Sequence, residues 1–389
     1  MDSLYILPEE CCGCGTCKEK CPKGAISMIM DNKGFYYPFI EQNKCIDCGL
    51  CLKVCDFKQT SKKEGNIIDV FALQHNNKNV LKRSSSGGAF TAISDIILNE
   101  GGKVYGAIFA PESKEVYHIG TENKKGRDRM RGSKYVQSTV FENFKEIKND
   151  LEEEKEVLFT GTPCQCAALR SFLKKDYDNL VIIDLICHGV PSNKIFVEHL
   201  KFWEHKKSKR IVDYFMRSKK YGYQYTHCVV FDDNSSNSSI NLKRILKLFT
   251  ISMRPSCFRC PYASQHRMGD ITIGDLWEAD SVVGIYDNRG VSLITANSGK
   301  GAGIIERVAE TCRIIKLDHS AIRQNAFYKP VEKPENYDFF WKDYFEKGYG
   351  FILDKYAPYT LLSWGYATVW RILFFTKLDR VYYWIKNII

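Results

Sequence analysis

The stretch Cys11-Cys12-Gly13-Cys14-Gly15-Thr16-Cys17-Lys18-Glu19-Lys20-Cys21-Pro22 decides how the chain begins to fold. Its cysteine spacing returns at Cys45, Cys48, Cys51 and Cys55, 34 residues on. Three thiolates in one tight loop suit three corners of an iron–sulfur cube, while a fourth, three residues further at a helix start, points toward a second cube. The crossed reading gives Cys11, Cys14, Cys17 and Cys55 to one [4Fe-4S] cluster and Cys45, Cys48, Cys51 and Cys21 to another. Structural zinc sites favour paired CxxC units over triplets. Cys12 stands outside the spacing and reads as a bystander.

Between the two motifs, residues 25–31 and 35–40 read as two strands joined at Asn32-Lys33-Gly34, a β-hairpin. Motifs and hairpin together resemble the bacterial two-cluster ferredoxin fold. One departure is Asp56, which follows the last cysteine where that fold has proline.

Working outward, 389 residues with 44% hydrophobic and 13% aromatic content exceed one ordinary domain, so a ferredoxin module plus a larger domain is the simplest partition. Residues 1–10 show no basic region followed by an apolar run, hence no secretory leader. Sixteen cysteines then read as reduced thiols in a cytoplasmic protein, some of them metal ligands. The formal charge of +10 admits nucleic acid, anionic lipid or an acidic protein as partner. Its basic clusters, at 124–134, 206–210 and 217–220, are interrupted by acidic or apolar sequence and read singly as solvated faces. Their sum favours an acidic electron carrier such as ferredoxin or flavodoxin, with no nucleic acid.

Residues 59–66 are polar and suit a linker. Beyond it, Ser84-Ser85-Ser86-Gly87-Gly88 precedes an apolar run at 89–98, predicting a serine-capped helix with a glycine stop. Its first turn offers N–H groups and hydroxyls to an anion. Strands follow at 103–110 and 115–121, then a charged helix within 141–155. Residues 157–190 predict a βαβ unit that places Cys164 and Cys187-His188 at the carboxyl ends of parallel strands, where open α/β sheets keep their sites. A cysteine–histidine nucleophile lacks any accompanying motif. Cys257-Phe258-Arg259-Cys260 adds a CxxC pair, and residues 269–277 read as a strand between glycines. Gly299-Lys300-Gly301 mimics a phosphate loop without its spacing and reads as a glycine-rich helix start. Cys166, Cys228 and Cys312 lie in apolar sequence and read as core. The end of the chain, 350–389, is aromatic and basic. Arg371 interrupts any spanning run, leaving packed helices or an amphipathic helix lying on a membrane.

Six motifs in order, SSSGGAFTAI (84–93), RGSKYVQS (131–138), GTPCQCAALR (161–170), DLICHGVPS (184–192), CFRCPYA (257–263) and MGDITIGDLW (268–277), resemble the beta-subunit family of coenzyme F420 hydrogenase/dehydrogenase. The resemblance reaches from the first cluster to about residue 336. It implies an iron–sulfur flavoprotein that passes electrons between its clusters, FAD and a hydride-accepting substrate. The expected fold is α+β: a dicluster ferredoxin module at 1–60, a larger mixed α/β flavin-binding domain at 67–340 and a helical tail at 341–389. Carried onto these motifs, Cys164, Cys187, Cys257 and Cys260 are expected to hold a third [4Fe-4S] cluster, with zinc as the rival metal. Ser85, Ser86, Gly87 and Gly88 would face the FAD diphosphate, and Gly161, Thr162 and Pro163 would approach its ring. Lys134 would act catalytically by stabilising the reduced ring. The alternative is a non-catalytic subunit delivering electrons to a partner enzyme, and a weaker one a membrane-surface assembly protein.

Overall fold

The computed structural model describes residues 7–59, 65–219, 226–238, 244–285 and 289–358, with 369, 376 and 378. Most of the expected linker, and the aromatic tail beyond 358 apart from those three residues, lie outside the described residues, and the membrane reading of the tail lies there with them. Among those described, no helix is long and apolar enough to cross a membrane.

The hairpin forms as expected. Strands β1 (Ile26–Met30) and β2 (Tyr36–Ile40) pair antiparallel with Ile26 opposite Ile40. Asp31 closes the turn, its Oδ1 accepting from the N–H groups of Lys33 at 3.0 Å and Phe35 at 2.8 Å. Gly34 has φ +87°, and a Cβ there would stand 2.6 Å from Lys194, so this turn is also a docking point.

The rest is built on one eight-stranded mixed sheet. Its strands are β3 (Asp69–His75), β4 (Lys103–Ala110), β5 (Glu115–Thr121), β6 (Val157–Gly161), β7 (Leu180–Leu185), β11 (Ile271–Asp275), β12 (Ser292–Ala296) and β13 (Cys312–Leu317), in the order β13-β3-β12-β11-β7-β6-β4-β5. The pairs β4·β6, β6·β7 and β7·β11 are parallel. Strand β12 runs antiparallel to both β11 and β3, so β3 points the same way as the parallel set. Alternate residues along a strand face opposite sides. Leu158 and Ile183 accordingly pack under the helices Ala89–Asn99 and Gly299–Val308. Phe159 and Ile182 face the helices Asn143–Glu152 and Pro163–Leu173. A smaller antiparallel sheet of β8 (Ile211–Ser218), β9 (Thr226–Phe231) and β10 (Ser236–Asn237) packs on the helix Asn193–Lys207 through Phe196, Leu200, Tyr214 and Val229.

The N-terminal module is seated in the larger part rather than tethered to it. Phe35 and Tyr37 share one apolar core with Ile195, Leu248, Phe340 and Trp341, the last two on the helix Tyr337–Tyr356. Asp56 accepts a 2.7 Å hydrogen bond from the Tyr262 hydroxyl, and Ser171 donates to the Val54 carbonyl at 2.8 Å. Aspartate after the last cysteine thus makes a contact that proline has no group to make.

One local expectation is corrected. The helix Ala89–Asn99 is not serine-capped: its N-cap is Gly88, at φ +94°, with no side-chain cap bond. The serines are drawn elsewhere, Ser86 Oγ donating to the Val291 carbonyl at 2.8 Å and Ser85 Oγ accepting from the Ser133 N–H at 2.7 Å. The phosphate-loop mimic is a close crossing. A Cβ on Gly301 would lie 2.1 Å from the Asp270 carbonyl, and Lys300 Nζ donates to the carbonyls of Tyr177 and Leu180.

Candidate functional site

Because the parallel strands share a direction, their carboxyl ends meet at one edge of the sheet, and the expected site residues gather there. Strand β6 runs into Thr162, which caps the helix Pro163–Leu173 in a capping box with Gln165, with proline in its first turn. Cys164 therefore sits in the first turn of a helix, its Sγ 3.2 Å from Thr162 Oγ1. Strand β7 ends at Leu185, and Cys187 follows before the left-handed Gly189. Cys257 lies in the 3-10 turn Pro255–Arg259, its Sγ accepting from the Val190 N–H at 3.4 Å, and Cys260 follows that turn. Cys164, Cys187, Cys257 and Cys260 line one cavity together with Cys12 and Arg254.

Among the described residues, no carboxylate or histidine lines that cavity. Burial pushes the Cys187 and Cys260 thiols up to about 12, and Cys257 well above its usual range. Cys164 goes the other way, chiefly through a hydrogen bond from the Cys12 thiol. Cys12 bonds Cys14 as well, which is held at about 6. The bystander of the sequence thus stands between the first ferredoxin motif and the cavity. Among the described residues, no three His, Cys, Asp or Glu side chains close on a point that would hold a single metal ion.

In the module, Cys17 and Cys55 are raised by burial and share the fields of Cys11 and Cys14. Cys51, also raised by burial, feels Cys45 and Cys48 instead. Cys55 therefore stands beside the first triplet, where the crossed arrangement needs it. Cys48 is exposed, with Ile46 and Leu52 exposed beside it.

Sequence reasoning missed Arg254, which is fully buried. Its Nε donates to the Cys11 carbonyl at 2.9 Å, Nη1 to Gln137 Oε1 at 2.9 Å, and Nη2 to the Tyr36 carbonyl at 2.8 Å. It also missed a brace behind the cavity. Asp184, fully buried, accepts from Arg267 Nη2 at 2.9 Å and from the N–H groups of Met268 and Gly269. Arg267 in turn donates to the Leu185 carbonyl at 2.9 Å.

The three segments expected to hold FAD are drawn together by the strap 131–139. At one end the Ser133 N–H reaches Ser85; at the other, Gln165 Nε2 donates to the Ser138 carbonyl at 2.9 Å. Between them Gln137 Nε2 donates to the Cys12 carbonyl at 2.8 Å, linking strap and cavity. A Cβ on Gly132, at φ +84°, would meet only Ser85 Oγ, at 3.9 Å, and Arg131 Nε and Thr160 Oγ1 are buried without a partner among the described residues. Other members are committed within the fold. The Gly87 N–H donates to Ser292 Oγ at 2.9 Å, and Lys134 Nζ donates to the carbonyls of Arg129, Met130 and Arg131. Burial brings the Lys134 ammonium down to about 7, against the opposing field of Asp213. A Cβ at Gly87 would lie 2.1 Å from the Leu73 carbonyl. Gly87→Ala is therefore expected to cost at least about 1–3 kcal/mol through overpacking, read as a lower midpoint in urea unfolding; an unchanged midpoint would contradict this packing.

Comparison with known proteins matches residues 10–58 to the 4Fe-4S dicluster domain. Residues 154–319 match the family described as the C terminus of the coenzyme F420 hydrogenase/dehydrogenase beta subunit. An uncharacterized ferredoxin of Methanocaldococcus jannaschii is 38% identical over 52 residues, which is 13% of this chain and 66% of that protein. Among solved structures, a chain of the F420-reducing [NiFe] hydrogenase complex from Methanosarcina barkeri, studied by xenon derivatization, aligns with TM-score 0.48 and 18% identity. The alignment covers 74% of this chain and 95% of that one. The dicluster domain supports two 4Fe-4S clusters in the module. Residues 10–58 are thus similar to a 4Fe-4S dicluster domain and residues 154–319 to the C-terminal region of the coenzyme F420 hydrogenase/dehydrogenase beta-subunit family, a pairing that supports an electron-transfer oxidoreductase.

Proposed function

We propose that the protein is an FAD-dependent iron–sulfur oxidoreductase that moves electrons between a ferredoxin-like carrier and a hydride-accepting substrate. In this reading residues 1–60 form the ferredoxin domain, 67–340 the flavin and iron–sulfur domain, and 341–389 a tail. The observation that carries it is the cavity at the carboxyl edge of the sheet, lined by Cys164, Cys187, Cys257 and Cys260 with no carboxylate or histidine among its described walls. Such an all-thiol set suits a third [4Fe-4S] cluster. Zinc, which takes four thiolates at about 2.3 Å, is the rival metal for the same four positions.

FAD, when bound, would exchange hydride with a substrate on one side and single electrons with the clusters on the other. The strap 131–139 would order the site: Ser85 and Ser133 fix one end of it, Gln165 and Ser138 the other. The buried Arg131 Nε and the first-turn N–H groups of the helix Ala89–Asn99 would meet the diphosphate. Gly161, Thr162 and Pro163 would bring backbone to the ring, and Lys134 would place a positive charge near it. The exposed Cys48 with Ile46 and Leu52 offers an electron carrier or a partner enzyme an apolar landing beside a cluster.

The second reading, a flavin-free subunit that delivers electrons to a partner enzyme, is favoured by one observation. The Gly87 N–H, the Ser86 hydroxyl and the Lys134 ammonium are already bonded within the chain. Anaerobic purification followed by iron, sulfide and flavin analysis separates the two. About twelve irons with about one FAD released per chain on denaturation is the expected result. About twelve irons without flavin after incubation with FAD leaves the electron-delivery reading. About eight irons removes the third cluster.

A further inference from the structure

Arg254 holds a full positive charge in the interior with no carboxylate paired to it among the described residues. Its three hydrogen-bond acceptors, the Cys11 and Tyr36 carbonyls and Gln137 Oε1, are all neutral. Among the described residues no carboxylate lies within ion-pair reach of it. Its guanidinium carbon sits 4.4 Å from the Tyr37 ring centre and 5.4 Å from that of Phe35. Room for it is made by Gly13, at φ +70°, where a Cβ would stand 2.8 Å from Nη1. A buried cation without a counter-charge is strongly unfavourable unless an anion is nearby. It stands against cysteines of two sets: it donates to the Cys11 carbonyl in the first ferredoxin motif, and it lines the cavity together with Cys164, Cys187, Cys257 and Cys260.

We propose that Arg254 is a shared counter-charge for two iron–sulfur sites, the one held by Cys11, Cys14, Cys17 and Cys55 and the one held by Cys164, Cys187, Cys257 and Cys260, and that it sets the reduction potential of both. The inference rests on the third-cluster reading given above. A [4Fe-4S] cube with four thiolates is doubly negative when oxidised and triply negative when reduced, so a fixed cation beside it favours the reduced state. Arginine suits the position better than lysine, since its planar fork reaches three acceptors at once while its charge stays fixed at any working pH. Arg254 is a positioning residue: it touches the Cys11 backbone and the strap residue Gln137, and it acts on the clusters through its field.

The test is a set of EPR-monitored redox titrations of the full-length, anaerobically purified protein. Arg254→Gln, with iron content unchanged, is expected to lower the reduction equilibrium constants of both clusters at least about tenfold, a shift of about 59 mV to more negative potential for one electron. The cluster of Cys21, Cys45, Cys48 and Cys51, which Arg254 does not face, should not move and serves as internal control. Arg254→Lys, which keeps the charge, should restore most of the shift. Should Arg254→Gln fail to fold or lose iron, Gln137→Glu asks the same question without touching the arginine. It sets a carboxylate on Nη1 and should move the same two potentials in the same direction. Full iron with unmoved potentials, in Arg254→Gln or in Gln137→Glu, overturns the inference and leaves the third-cluster reading standing. About eight irons in the unsubstituted protein overturns that reading, and the shared role with it.

Discussion

Replacing Asp184 with alanine is expected to destabilise the protein by about 3–5 kcal/mol, a large share of the roughly 5–15 kcal/mol that holds a domain folded. The reason is what it leaves behind. Arg267 is buried and would keep its hydrogen bonds to the Leu185 carbonyl and Thr272 Oγ1 but lose its carboxylate partner. The N–H groups of Met268 and Gly269 would lose their acceptor in the same step. Removing one partner of a buried pair costs more than removing both. The double variant Asp184→Ala, Arg267→Met should therefore recover more than half of the loss. Urea unfolding of the three proteins measures this directly. A single variant within about 1 kcal/mol of the unsubstituted protein would mean that the brace carries no weight. The brace bears on the site because Arg267 joins the end of β7, just before Cys187, to the loop that follows Cys260.

Cys257→Ala should remove about four of about twelve irons per chain while the iron of the N-terminal module stays. Cys257 is the cavity cysteine most firmly set by its surroundings: its N–H donates to the Arg254 carbonyl at 2.9 Å and its Sγ takes the Val190 N–H. Cys228→Ala is the control, since that thiol is buried in β9 away from the cavity and should leave the iron count unchanged. Iron and acid-labile sulfide measured together decide the outcome. Twelve irons retained in Cys257→Ala would exclude this residue as a ligand, and zinc recovered from the unsubstituted protein in place of the missing iron would support the rival metal.

Most of the architecture was legible because it rests on short-range patterns. The βαβ unit at 157–190, the strands Lys103–Ala110 and Glu115–Thr121 and the hairpin announce themselves through periodicity and turn residues. What the sequence concealed depends on partners far along the chain. Ser86 and Gly87 look like an anion-binding helix start, yet their groups meet Val291 and Ser292, 205 residues away. Arg254 in Met253-Arg254-Pro255 looks like any surface arginine, and only the fold shows that its fork closes on Cys11, 243 residues earlier. Cys12 fell outside the ferredoxin spacing, which says which cysteines share a loop and nothing about what stands opposite them. The cysteines of the cavity were found through strand ends and family motifs, since no single spacing joins them.

The apolar seat beneath the hairpin has a consequence for how this gene can be rearranged. Small ferredoxins are portable units, but here Phe35 and Tyr37 supply part of the wall against which Ile195, Leu248, Phe340 and Trp341 are buried. A truncation that starts after the second cysteine motif would bare that wall to water and give a protein prone to aggregate, whatever its metal content. The same surface would reject a ferredoxin transplanted from elsewhere unless it brought aromatic residues at the positions of Phe35 and Tyr37. Insertion and deletion at this junction are thus constrained by packing as well as by electron transfer, and the two halves must change together.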